Sequence, residues 1–291
     1  MINKIKPLFY GVLALSFVLL LSGCDMVLFN PKGAVAAEQI KLIYIAMILM
    51  LLIVVPVIIM TIAIAWKYRA SNKKATYMPN WAHNTALEVV WWTVPCIIIV
   101  ILAVITWRTS HSLDPYKPLD SKVKPVTIQA ISLDWKWLFI YPDQGIATIN
   151  YIVVPEKTPL NFQITSQGPM NALWIPALGG QIYAMAGMRT KLHLIADEPG
   201  LYDGLSANFS GDGFTGMKFK VKATNQQEFN HWVNDTQSAP NALTMEDYKQ
   251  LTLPTEDEPA QYFSHVQADL FNDVMMSFMM PASQDLAPVR K

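Results

Sequence analysis

The chain has 291 residues, of which 52% are hydrophobic and only 15% charged, and its 22 basic and 22 acidic side chains give a formal net charge of zero. So apolar a composition, with a positive mean hydropathy, lies outside the range of an ordinary soluble protein. Zero net charge removes any global pull toward nucleic acid, and two cysteines, Cys24 and Cys96, allow at most one disulfide.

Lys4 and Lys6 precede an apolar run, Tyr10 to Leu21, that ends in small residues. This is the layout of a secretory signal peptide, here residues 1–23. Leu21-Ser22-Gly23-Cys24 resembles the lipobox of bacterial lipoproteins and predicts cleavage before Cys24 and acylation of that cysteine. The alternative is an ordinary first helix that contains Cys24. Asp25 resembles the residue that keeps such lipoproteins in the inner membrane, and residues 24–41 become a lipidated, exported N-terminus.

Two longer apolar segments follow, at 42–66 and 87–108. The first, at ~1.5 Å per residue, spans a ~30 Å hydrocarbon core with some tilt. It tolerates Pro56 because neighbouring helices re-satisfy the freed backbone groups. Both segments are flanked by Trp or Tyr, the usual interface anchors. Between them, residues 67–86 carry Lys67, Arg69, Lys73 and Lys74 and no acidic residue, which predicts a cytoplasmic loop. The lipidated start and everything after Trp107 then lie outside. Cys96 falls in lipid or against other helices, so the exported domain has no thiol.

In the exported domain, residues 109–224, the pattern changes from Pro125 to Ala223 to short β-rich runs: "VTIQAI", "WKWLFIY", "TINYIVV", "LNFQIT", "KLHLIA" and "MKFKVKA". Turns such as "YPDQG", "PEKTP" and "ADEPG" separate them, and Lys218, Lys220 and Lys222 alternate with Phe219 and Val221. About a hundred residues of this kind predict a Greek-key β-sandwich. Residues 225–291 read as a helical, aromatic-rich arm, with "TMEDYKQL" opening at capping-box spacing. The fold class is therefore a membrane-anchored α+β protein: a two-helix transmembrane hairpin, an exported β-sandwich and a C-terminal helical arm. Two transmembrane helices alone enclose no transport path, so the hairpin is expected to pack on a larger membrane partner.

Four stretches, "HNTALEVVWWTVP" (His83–Pro95), "DWKW" followed by "YPD" (Asp134–Asp143), "WIPALGGQIYAMAGM" (Trp174–Met188) and "ADEPGLYDG" (Ala196–Gly204), resemble subunit II of haem–copper terminal oxidases in order and spacing. The resemblance runs from about residue 40 to 224. It implies a cupredoxin fold for the exported domain, seated over a large catalytic subunit I. In cytochrome c oxidases that domain holds a binuclear copper centre bound by two His, two bridging Cys, a Met and a Glu carbonyl. Laid on this chain, the first His position falls on Asn171 and the second on Phe214. The Cys-x-Glu-x-Cys run falls on Ser206, Asn208 and Ser210, and only the Met remains, as Met217. Hydroxyls do not replace the bridging thiolates that delocalise charge over two coppers.

The resemblance is therefore to the ubiquinol oxidases of the cytochrome bo type, and the aromatic tail "YFSHVQADLFNDVMMSFM" and the lipobox fit that branch. It implies no metal on this chain, with haem and copper in subunit I, ubiquinol as the substrate of the complex and no docking of cytochrome c. Subunit I is the principal expected partner, with further small membrane subunits and the lipid bilayer. The location implied is the bacterial inner membrane, with a large periplasmic C-terminal domain. Glu88, at the start of the second span, aligns with a glutamate near the mouth of a proton channel of subunit I. The alternative is a solvated carboxylate favoured by the helix dipole. Trp135 and Trp137 are expected to share one side of a strand as packing residues, and Met217 to be a core methionine. His83, His111, His193, His231 and His265 lack metal-ligand spacing. The competing functions are a copper-containing cytochrome c oxidase subunit and a stand-alone membrane-anchored binding lipoprotein.

Overall fold

The computed structural model describes residues 26–76, 78–80 and 83–279. The signal peptide, Cys24 and Asp25 lie outside the described residues, as does the end of the arm. Two long helices, α1 (Ala34–Lys67) and α2 (Thr85–Ser112), form the hairpin, each with its proline inside the helix. At ~1.5 Å per residue α1 is about 50 Å long, well beyond a ~30 Å hydrocarbon core. It starts eight residues ahead of the segment expected from hydropathy. Its first two turns are not in the apolar run; they dock on the β-domain and bury Ala36 and Ile40. Beyond those turns nearly every apolar side chain of both helices is exposed, the surface that lipid or a membrane partner covers.

The chain then builds β1 (Val126–Ser132), β2 (Trp137–Tyr141), β3 (Ile146–Ile149), β4 (Tyr151–Pro155), β5 (Pro159–Ser166), β6 (Asn171–Trp174), β7 (Ile182–Ala184), β8 (Thr190–Ile195), β9 (Gly200–Ser206) and β10 (Lys218–Thr224). Two helices follow, α3 (Gln226–Gln237) and α4 (Met245–Leu251), then β11 (Gln261–Phe263) and α5 (Leu270–Met276). One sheet runs β11-β3-β2-β1-β5-β8 and the other β4-β10-β9-β6-β7. The chain passes repeatedly between the sheets, as a Greek-key sandwich requires, and the pairs β1–β5 and β4–β10 are parallel. Trp137, Phe139, Tyr141, Phe162, Leu173, Leu194, Phe219 and Val221 interlock between them. The expected alternation on β10 is present: its lysines are exposed and Phe219 and Val221 buried.

The crossing from β3 to β4 turns on Asn150, which sits in the left-handed region at φ 54°. Asparagine tolerates that conformation better than other side chains. Its Oδ1 accepts from Trp137 N at 2.8 Å and its Nδ2 donates to Glu258 O at 2.8 Å, so one side chain ties the corner to both β2 and the arm. One run that reads as a single strand, "TINYIVV", thus becomes two strands in different sheets.

The arm is helical, as expected, and also joins the sandwich. The Thr244–Asp247 capping box is present, but the arm is not a separate helical unit. It adds β11 to the edge of the six-stranded sheet beside β3. It also lays Leu243, Tyr248, Phe263, Leu270, Phe271 and Val274 over the outer face of that sheet, against Ile131, Leu138, Ile140 and Ile149. This is why β2 is buried on both faces along its whole length. The arm therefore packs on the sandwich along this face.

Candidate functional site

The six positions assigned to the copper ligands lie around the loop from β9 to β10, which carries a short 3-10 helix, Asp212–Gly216. Asn171 begins β6, Ser206 ends β9 and Met217 immediately precedes β10, so three strand ends converge. Asn171, Ser206 and Met217 are buried. Asn171 Nδ2 donates to Met217 Sδ at 3.1 Å and reaches Ser210 Oγ at 3.4 Å, while its Oδ1 accepts from Ala172 N at 2.9 Å. Ser206 Oγ accepts from Trp137 Nε1 at 3.0 Å. Asn208 faces away and donates to Met170 O at 2.8 Å. Phe214 packs edge-on against exposed Phe209, with ring centroids 5.6 Å apart.

The structure thus brings Asn171, Ser206, Ser210 and Met217 together and sets Asn208 and Phe214 outside that cluster. The donors present are an amide, two hydroxyls and one thioether already engaged by an N–H. This set does not fit a binuclear copper centre, which requires two bridging thiolates. Among the described residues no three His, Cys, Asp or Glu side chains are placed to share a metal ion. What holds the strand ends together is a hydrogen-bonded cluster. Ser206→Ala is expected to leave the Trp137 indole N–H buried without an acceptor and to cost about 1–3 kcal/mol. Chemical unfolding of the detergent-solubilised chain, followed by tryptophan fluorescence, checks this.

Trp135 departs from the strand expected of it. β2 begins only at Trp137, and Trp135 adopts φ 62°, a conformation that is costly for a bulky side chain and persists only where its surroundings hold it. Its Nε1 donates to Ser210 O at 3.0 Å, and its ring covers Gly213 so closely that a Cβ there would fall 2.5 Å from the indole. Trp135 therefore closes the loop from above, and Trp137 binds it from within. Between them Lys136 is buried, its Nζ donating to Leu253 O at 2.9 Å and to Thr255 Oγ1 at 2.6 Å. Burial pulls the ammonium below its ordinary range, opposed by Glu258 and Asp134, and burial raises the Asp134 carboxyl against the pull of Lys136. The "DWKW" stretch thus couples the loop to the arm, a role that alternation alone does not reveal because it depends on residues more than a hundred positions away.

Glu88 sits in the first turn of α2, half-buried, with its N–H donating to Asn84 O at 2.9 Å. Asn84 caps the helix by accepting from Leu87 N. The helix N-terminus favours a carboxylate there. Met217 is the buried core methionine expected of it. His193 is also buried, with Nδ1 at 2.9 Å from Pro115 O.

Comparison with known proteins adds to this geometry. Residues 25–108 match the family described as cytochrome C oxidase subunit II, transmembrane domain. Residues 144–224 match its periplasmic domain, and 237–282 the COX aromatic rich motif. The chain is 58% identical over 266 residues to cytochrome bo(3) ubiquinol oxidase subunit 2 of Pseudomonas aeruginosa, covering 91% of this chain and 80% of the relative. It is 47% identical over 278 residues to ubiquinol oxidase subunit 2 of Acetobacter aceti, covering 95% of this chain and 90% of the relative. Quinol oxidase subunit 2 of Bacillus anthracis is 42% identical over 247 residues, covering 84% and 85%.

Proposed function

This chain belongs to the ubiquinol oxidase subunit 2 family, and from that premise we propose that it serves its complex without a copper centre of its own. It is a membrane-anchored part of an oxidoreductase complex. The observation that carries the proposal is the Asn171–Ser206–Ser210–Met217 cluster, hydrogen-bonded within the fold where two thiolates would have to stand. With no such centre, the exported domain has no port for electrons from cytochrome c. Two ubiquinols give up their four electrons and four protons within subunit I, where haem and copper reduce one oxygen to two waters. This chain then has no catalytic residue. It covers the outer face of subunit I, seats its two helices against it and other small membrane subunits, and is held in the inner membrane by those helices and by acylated Cys24.

The complex purified through this chain is expected to consume oxygen with ubiquinol and not with reduced cytochrome c. Turnover with cytochrome c would falsify the proposal. Purification of the chain without haem would instead support a stand-alone lipoprotein.

Glu88 shapes the proton entrance in this reading. It is a half-buried carboxylate in the first turn of α2, and an ionisable group at a transmembrane segment is a candidate for a proton path. Glu88→Gln is expected to lower kcat several-fold and leave KM for ubiquinol unchanged. Unchanged turnover in the assembled variant leaves Glu88 as a solvated carboxylate favoured by the helix dipole alone.

A further inference from the structure

Ahead of α1 the chain makes one 3-10 turn, Val27–Phe29. Met26, Val27, Leu28 and Phe29 are all apolar, and each is 40–50% exposed. The level of this turn is fixed from both ends. Lys32 N donates to Ala177 O at 2.8 Å and Asp197 N donates to Lys32 O at 2.9 Å, which pins the lead-in to the end of the sandwich that faces the helices. Upstream of that pin the chain doubles back beside α1. The Phe29 ring centroid lies 6.0 Å from that of Tyr44, ten residues into the helix and so about 15 Å along its axis. Ile43 and Tyr44 open the exposed apolar surface that continues down α1. The turn is thus level with, and continuous with, the outer edge of the membrane-facing surface. It carries no charge, while Lys32 and Lys41 lie nearer the domain.

We propose that Met26–Phe29 is seated in the bilayer at the hydrocarbon–headgroup boundary, as a short apolar wedge beside α1 whose occupant is lipid. A contiguous exposed apolar patch on this surface needs a cover, and interfacial segments bind in proportion to the apolar area they bury there. The wedge holds the start of the chain down at the membrane, while the Lys32 backbone bonds hold the domain to the same segment. This inference rests on α1 spanning the membrane.

The test is a nitroxide label on Leu28→Cys in a Cys96→Ser background, in the assembled complex in phospholipid nanodiscs. Signal from the background without Leu28→Cys is subtracted. Collision with molecular oxygen, which partitions into hydrocarbon, is compared with collision with nickel(II) ethylenediamine diacetate, which stays in water. Labels at Ile48→Cys and Met50→Cys, on opposite faces of α1, give the lipid reference, and Gln227→Cys gives the aqueous one. The oxygen-to-nickel ratio at position 28 is expected to be several-fold above that at 227 and close to the higher of the two α1 labels. A ratio equal to that at 227 puts the turn in water and overturns the proposal. Protection from both reagents puts it against a protein partner and overturns it too. Aqueous ratios at both 48 and 50 would remove the membrane-spanning premise itself, an outcome distinct from failure of the wedge alone.

Discussion

A chain ended after Asn225 is expected to yield no soluble, folded exported domain, although the sandwich strands β1 to β10 would all be present. The arm buries Leu243, Tyr248, Phe263, Leu270, Phe271 and Val274, each at most 5% exposed, on the outer face of the six-stranded sheet. At about 2 kcal/mol per buried apolar side chain these six alone contribute on the order of 10 kcal/mol, against a total stability of about 5–15 kcal/mol for a domain. Ile131, Leu138, Ile140 and Ile149 would be laid bare at the same time. Lys136 would lose both of its acceptors, Leu253 O and Thr255 Oγ1, and Asn150 would lose Glu258 O. Phe271→Ala is the milder form of the experiment, with an expected loss of about 3–5 kcal/mol from a fully buried aromatic. Unfolding in denaturant measures it. A truncated domain that stays monomeric with native near-ultraviolet circular dichroism would show the arm to be dispensable.

Gly33→Val is expected to separate the head of α1 from the β-domain. Any Cβ at Gly33 would sit well inside contact distance of Ile195 O and 3.0 Å from Leu178 O. Both are backbone atoms of the sandwich and its connecting loop, and neither swings aside as a flexible side chain does. Overpacking of this kind costs about 1–3 kcal/mol or more. Here it falls on a junction held by the backbone bonds Lys32 to Ala177, Asp197 to Lys32 and Ala36 to Leu178. Hydrogen exchange at Lys32, Ala36 and Asp197 reads the effect directly. Faster exchange at those three amides, with β1 to β5 unchanged, is the expected pattern, and unchanged exchange would show that the junction yields without opening.

The hairpin was legible because lipid imposes a one-dimensional requirement, a sufficiently long apolar run, that composition alone displays. What hydropathy missed was the docked head of α1, where Glu38, Gln39 and Lys41 break the apolar run and burial comes from the β-domain. Most of the longer β-runs were legible because alternation and turn residues are local, although "TINYIVV" divides between two sheets and β9, seven residues long, did not show as a strand. β6, β7 and β11 are three or four residues long, too short to show a period, and exist because a longer neighbour pairs with them. The donor types at Asn171, Ser206, Ser210 and Phe214 were also legible: their identities offer no thiolate and no imidazole. That Asn171 binds Met217, that Ser206 receives the Trp137 indole, and that Trp135 leaves the strand to cover Gly213 were not. Each depends on a partner 46 to 78 positions away in sequence (Trp135 and Gly213, Trp137 and Ser206, Asn171 and Met217).

By itself, then, the sequence determined which segments can cross a bilayer, which can lie half-buried in a sheet, and which donor chemistry the loop before β10 offers, since these follow from residue type and short-range period. Only the tertiary structure decided that the arm is part of the sandwich, that Lys136 is a buried clasp, and that the N-terminal turn descends beside Tyr44. These depend on which surfaces meet. A side chain's burial and its hydrogen-bond partner are properties of the whole packed chain, and residues distant in sequence supply them.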